Sequence, residues 1–273
     1  MKNILVPTDF SKNSWNSLMY SMSFFKNVNC KFHILHVLPP ENTIKGELLK
    51  DIEQLNTIRM SKKQTVQLCQ NTVLPSFPKH NFLYFEERNL LIDAIRKHVF
   101  EKKIDLIVMG TKGNSGAKDV SVGRNTIDVI TKVKCPVLVI PEKAKYKKIR
   151  NAAFPTDYNS AFNNRVISTI CETIDLHNAR LRIVHLRKTE RELTNFQKEN
   201  KSLLKTSIEK KKISFHDLND KTPTAIGSFV VSDNIDLITM YAKNLNFFQC
   251  LFFTPTVASA SYHSEIPMLV LHE

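Results

Sequence analysis

The chain has 273 residues, 42% of them hydrophobic and 24% charged, a balance that excludes a disordered or low-complexity protein and supplies apolar material for a sizeable core. Thirty-nine Lys and Arg against 26 Asp and Glu give a formal net charge of +13, and five scattered cysteines without a CxxC pair exclude a disulfide framework or a zinc site. No stretch approaches the ~20 uninterrupted apolar residues of a membrane helix, and the start of the chain lacks the apolar core of a secretory leader, so a cytoplasmic protein with no membrane contact is expected.

The first predicted strand is Asn3–Pro7 (NILVP), followed by a helix near Asn13–Lys26. Strand two is Lys31–Val37 (KFHILHV), and a helix near Gly46–Val73 separates it from strand three, Phe82–Glu86 (FLYFE). A helix near Leu90–Glu101 leads to strand four, Ile104–Gly110 (IDLIVMG), and one near Arg124–Thr131 leads to strand five, Pro136–Ile140 (PVLVI). Continuously apolar runs such as LIVM and VLVI, alternating with longer amphipathic stretches, predict buried parallel strands joined by crossover helices.

The chain then repeats itself. Pro7, Thr8 and Asp9 are answered by Pro155, Thr156 and Asp157, IDLIVMG by IDLITMY at Ile235, and CPVLVIP at Cys135 by IPMLVLH at Ile266. The second set of strands is NAAFP (Asn151–Pro155), LRIVHL (Leu181–Leu186), ISFHD (Ile213–Asp217), IDLITM (Ile235–Met240) and PMLVL (Pro267–Leu271). Two homologous halves follow, residues 1–142 and 149–273, each an open five-stranded α/β sandwich with a Rossmann-like parallel sheet. Positive charge concentrates at Lys143–Arg150 (KAKYKKIR), where the halves join, and at Lys210–Lys212. A solvated surface and an anionic partner are both compatible with it; the wide spread of the other lysines argues against nucleic acid.

Four of the six glycines, Gly110, Gly113, Gly116 and Gly123, fall between Val108 and Thr126, from the end of strand four to the start of the next helix. One reading is the geometry of a tight turn. The other is an anion cradle: glycine lets backbone amides approach a phosphate, and the helix N-terminus adds free donors and a positive dipole end. Ligands of such sheets bind outside the carboxyl ends of the strands, where the strand order reverses, and Lys112 and Arg124 stand among the glycines, which favours the cradle.

The spacing of Gly110, two residues, Gly113, nine residues, Gly123 resembles the nucleotide-binding signature of the universal stress protein family. ILVPTDFS at Ile4, ILHV at Ile34 and CPVLVIP at Cys135 extend the resemblance over essentially the whole chain as a tandem pair. It implies a fold of the adenine nucleotide alpha hydrolase type and an adenine nucleotide as ligand, foremost ATP with Mg²⁺. It places Asp9, next to Pro7 and Thr8, with Val37, Met109 and Gly110 around adenine and ribose, and Lys112, Gly113, Gly123, Arg124, Asn125 and Thr126 around the phosphates. The family carries Ser or Thr after the last glycine, where this chain has Arg124, which either pairs with phosphate or obstructs the pocket; Thr126 offers a hydroxyl instead. Asp9 is also a candidate helix cap, with Ser11 the alternative. His36 and His185, each near the end of strand two of its half, read as packed or hydrogen-bonded residues.

Aligned without gaps, the second half places Tyr241 opposite Gly110, Asn244 opposite Gly113, Thr254 opposite Gly123 and Pro255 opposite Arg124. Its cradle is lost, so no nucleotide is expected there, Asp157 reads as a cap, and the aromatic-rich Asn244–Phe253 reads as filled volume or a partner patch. The resemblance implies that the strands carrying PVLVI and PMLVL pair internally as a pseudo-dimer; association of two chains into a homodimer is left open. With no nucleophile elbow, Walker loop or HExxH motif, the expected role is nucleotide binding in stress response or signalling, through ligand-biased conformation or partners, with at most slow ATP hydrolysis. The alternative is a nucleotide-independent dimeric scaffold that recruits an unidentified protein partner.

Overall fold

A computed structural model describes residues 1–40, 76–111, 123–186, 192–209, 211–218, 223–242 and 265–272. The first half contains β1 (Lys2–Thr8), α1 (Lys12–Phe24), β2 (Cys30–Leu38), β3 (His80–Arg88), α2 (Leu91–Glu101), β4 (Leu106–Gly110), α3 (Arg124–Lys132) and β5 (Val137–Ile140). The second contains β6 (Asn151–Thr156), α4 (Asn164–His177), β7 (Arg180–Leu186), α5 (Asn195–Ser207), β8 (Ile213–Leu218), α6 (Pro223–Ser232), β9 (Leu237–Tyr241) and β10 (Met268–Leu271). Every predicted strand forms; the predicted helix near Gly46–Val73 lies outside the described residues.

Helix starts are written locally. Ser11 caps α1, its Oγ accepting from the Ser14 amide at 3.1 Å, and Asn163 caps α4, accepting from Val166 at 2.9 Å. Thr194 and Gln197 form a reciprocal capping box at α5. Each arrangement satisfies an amide that the helix itself leaves without a partner. At the other end of α4, Asn178 adopts a left-handed conformation, φ 51°, and turns the chain into β7.

The strands form one ten-stranded sheet in the order β3-β2-β1-β4-β5-β10-β9-β6-β7-β8. Within each half all described pairings are parallel, as the buried apolar runs require. The halves meet through β5 and β10, which pair antiparallel with Leu138 opposite Leu269. The pairing inferred from the resemblance is thus made within the chain.

Strand alternation sends side chains into two apolar layers. Ile4, Val6, Phe32 and Ile34 face the layer that includes Leu18 and Met22 of α1, and this layer runs on through Leu138 and Ile140 to Phe154, Ile170 and Leu269. Leu5, Leu35 and Ile107 face the other, with Ala94 and Ile95 of α2, Val129 and Ile130 of α3, and Val230 of α6. Contacts also cross between halves outside the sheet: the His177 ring lies 4.3 Å from the Phe24 ring, and Lys2 Nζ is 2.7 Å from Glu172 Oε2.

Because both apolar layers are continuous across β5 and β10, the halves are expected to unfold together. Leu138→Ala and Leu269→Ala should each cost about 2–5 kcal/mol and keep a single transition in calorimetry, whereas independent halves would split it. A pH dependence follows from His177, which burial holds down at about 4 against an ordinary 6.5. A histidine whose folded value is depressed favours the neutral ring on folding, so its contribution is complete above about 6.5 and is lost as pH falls towards 4. Urea midpoints should therefore fall between about pH 7 and about pH 5, and His177→Phe, which keeps a ring against Phe24, should make that fall shallower.

Candidate functional site

A cleft opens where β1 and β4 part. The two strands pair only through Ile4 with Leu106 and Leu5 with Ile107; beyond that β1 continues along β2 and β4 along β5. This is the point at which strand order reverses, and it leaves a crevice outside the carboxyl ends of the strands. Pro7, which has no N–H to offer a neighbouring strand, stands at this parting, and Pro155 stands at the corresponding one between β6 and β9.

The cleft has a volume of about 450 Å³, within the range of small-molecule sites. Of the residues expected to hold a ligand, Pro7, Thr8, Asp9, Val37, Met109, Gly110, Asn125 and Thr126 line it. Gly123 is the N-cap position of α3, and Arg124 is exposed at its first residue; neither lines the cleft, so the Arg124 side chain does not plug it. Lys112 and Gly113 lie outside the described residues. Ser14, Leu35, Pro39, Pro40, Asn89, Leu90 and Leu91 complete the walls. Nothing in the motif pointed to Asn89–Leu91, because they approach only once β3 has been laid beside β2 and the chain has turned into α2.

The loop between β1 and α1 has a defined shape. Thr8 Oγ1 accepts from the Phe10 amide at 3.0 Å and lies 3.0 Å from Ser14 Oγ. Asp9 Oδ1 accepts from the Ser11 amide at 3.0 Å. Asp9 is therefore not the cap of α1; Ser11 is, and Asp9 is exposed at the mouth of the cleft as its one carboxylate among the described lining residues. Phe10 takes a left-handed backbone, φ 59°, which costs roughly 1–2 kcal/mol for a residue with a Cβ. Its ring packs edge-on to His36 at 4.8 Å, and His36 Nδ1 lies 3.3 Å from Glu86 Oε2.

The second half repeats this loop with different residues. Thr156 Oγ1 accepts from Tyr158 at 3.0 Å, Asp157 Oδ1 from Asn159 at 3.1 Å, and Tyr158 has φ 58°. The Tyr158 ring lies 4.9 Å from His185, whose Nδ1 is 2.9 Å from Asp217. Asp157 is not a cap either, since Asn163 caps α4. Both histidines are hydrogen-bonded packing residues, as expected, but their carboxylate partners sit on a third strand and were not legible from motif spacing.

The glycines divide on inspection. Gly110 packs against α1: a Cβ built on it would meet the end of the Asn13 side chain at 2.8 Å, and that side chain would have to move. Neither Gly110 nor Gly123 uses a positive φ, so the conformational freedom of glycine is not what these two positions need. Thr126 Oγ1 donates to the Gly110 carbonyl at 2.8 Å and is buried, while the Gly123 amide donates to the Thr111 carbonyl. These two bonds hold the first turn of α3 against the end of β4. The amides of Arg124 and Asn125 then receive no partner from the described residues, and they are donors available at a helix N-terminus beside the cleft.

At the matching place in the second half, Tyr241 replaces Gly110 at the end of β9 and is fully buried. Its ring lies 5.9 Å from Phe162, which lies 5.3 Å from Phe154. Helix α5 also covers this loop, with Gln197 Nε2 donating to the Asp157 carbonyl and Asn200 Nδ2 to the Tyr158 carbonyl, both at 2.8 Å. Asn244, Thr254, Pro255 and the aromatic-rich Asn244–Phe253 lie outside the described residues.

A two-layered parallel sheet, a cleft at its reversal point and a glycine-bearing passage into α3 define the class. The model of the universal stress protein family matches residues 1–141, and the chain belongs to that family. A universal stress protein of Methanocaldococcus jannaschii is 27% identical over 156 residues, covering 53% of this chain and 84% of the relative. A second from the same organism is 24% identical over 157 residues, covering 52% of this chain and 96% of the relative. A solved universal stress protein of Archaeoglobus fulgidus matches 99% of this chain and 96% of its own with a TM-score of 0.66 at 18% identity, a likeness of fold. No described helix is long and apolar enough to cross a membrane, and no described group of His, Cys, Asp and Glu is arranged to hold a metal ion.

Gly110→Ala should destabilise the protein by roughly 1–3 kcal/mol, the usual range for a forced overlap in a packed site. Asn13→Ala in the same chain should recover part of that loss, because the two positions share one contact. Equal denaturation midpoints for the single and double variants would show that the Asn13 contact is not the cause.

Proposed function

We propose that this universal stress protein binds one adenine nucleotide, with ATP as the leading form, in the cleft of its first half and acts in stress response or signalling through that occupancy. The observation that carries the reading is the cleft itself: it lies at the reversal of strand order, and residues from β1, β2, β4 and α3 that the glycine signature singles out converge on it. Val37, Leu35 and Met109 supply an apolar wall for a base. Asp9 offers a carboxylate to ribose hydroxyls, and the amides of Arg124 and Asn125, which have no partner among the described residues, offer donors to the phosphates. Arg124, outside the lining but one residue from it, would pair with the terminal phosphates, and that pairing would favour ATP over AMP. Mg²⁺ would arrive bound to the triphosphate, since Asp9 alone among the described lining residues is a hard anionic ligand. The residues that would enclose a nucleotide in the second half carry Tyr241 instead, so one ligand per chain is proposed.

Calorimetric titration of ligand-free protein with ATP, AMP and cyclic AMP tests the reading. Saturable heat at a stoichiometry of one is expected for ATP. Val37→Trp should fill the base site and abolish that heat while leaving the melting temperature close to that of the parent. Arg124→Ala should weaken ATP about tenfold, as the loss of one charge-assisted hydrogen bond does, and leave AMP nearly unaffected. No saturable heat with any of the three nucleotides would instead leave a nucleotide-independent scaffold.

A further inference from the structure

The segment that joins the halves carries Lys143, Lys145, Lys147, Lys148 and Arg150, with no acid after Glu142. Its start is tied to α1, where Asn16 Nδ2 donates to the Ala144 carbonyl at 3.0 Å. Ala144 and Ile149 are buried, and the half-buried Tyr146 turns its ring edge-on to Tyr20 at 5.4 Å, so the five cationic side chains are left exposed. No described carboxylate pairs with any of them, whereas Lys2, Lys97, Lys132 and Lys211 each lie within 3.0 Å of an acid. The main chain is equally open: from Lys145 to Lys148 no described residue bonds to an amide or carbonyl.

Beside this segment runs a groove of about 600 Å³ whose lining includes Lys143, Lys145 and Lys147 together with Val231 and Ile266. Val231 is 68% exposed, an apolar residue with no cover among the described ones. Two carboxylates also line the groove. Asp236 accepts from the amides of Arg150 and Asn151 at 2.8 and 3.0 Å and helps fix the segment in place; Glu265 is exposed.

We propose that this junction groove docks an extended acidic segment of another protein. Such a segment laid along Lys145–Lys148 takes up the open amides and carbonyls as an added strand does. Its carboxylates meet the lysines, and an apolar side chain between them covers Val231 and Ile266. A phosphate backbone fits less well: it offers acceptors but no donors for the open carbonyls, and it has no apolar side chain to set against Val231. The groove lies at the β5–β10 junction, outside the cleft between β1 and β4.

The test is fluorescence anisotropy of the full chain with a labelled peptide of alternating Glu and Val, about ten residues long, beside a single-stranded DNA oligonucleotide of equal charge. Saturable peptide binding that weakens as salt is raised is expected. Reversal of the three lysines together, Lys143→Glu, Lys145→Glu and Lys147→Glu, should lower peptide affinity at least about tenfold, and Val231→Asp alone should lower it several-fold. Circular dichroism and the melting temperature should be unchanged in both, since all four side chains are exposed. No saturable peptide binding, binding unchanged in the triple variant, or tighter binding of the oligonucleotide overturns the proposal. Binding lost in the triple variant but intact in Val231→Asp overturns it as well, since it would reduce the effect to charge attraction without a groove.

Discussion

The antiparallel pairing of β5 with β10 is the contact on which the remaining architecture depends. It joins two open sheets into one and carries both apolar layers across the join. A strand of pure VLVI or MLVL would otherwise present unpaired amides beside a fully apolar surface, a known route to uncontrolled association. With that edge closed inside the chain, the basic connecting segment is held along the junction and the cleft of the first half is fixed on the same sheet.

Duplication has been resolved unequally. The loop after the first strand of each half is the same object twice: a threonine hydroxyl and an aspartate each accept an amide two residues on, an aromatic residue takes a left-handed backbone, and a histidine held by an acid packs against its ring. The residue at the end of the fourth strand is not the same. Glycine in one half leaves room beside α1, and tyrosine in the other fills the equivalent space with a ring set edge-on to Phe162. The loop geometry persists where Tyr241 stands in place of the glycine, which assigns it first to the fold of the strand-to-helix turn. What differs between the halves is the volume left next to it.

Most of the fold was legible because its signals are local or nearly so. Apolar runs such as LIVM, VLVI and MLVL identify buried parallel strands wherever they occur, and the repeat of PTD identifies two halves before any pairing is known. Ser11 and Asp9 were both plausible caps, and only the turn geometry separates them. The sequence offers a tight turn or a ligand loop as the reason for glycine at position 110, and the structure adds the Asn13 side chain of α1 against it; spacing along the chain carries no information about that neighbour. The partners of His36 and His185 were hidden for the same reason, since Glu86 and Asp217 become neighbours only through the register of β2 with β3 and of β7 with β8.

Closing the edge internally also sets what separation would do. A first half cut free after Ile140 would carry the same four apolar residues of β5 along an uncovered border, and the nearest complementary surface would be the identical border of a second copy. Severing the tandem would therefore exchange a covalent partner for a diffusing one, and the fragment's integrity would become a matter of its own concentration.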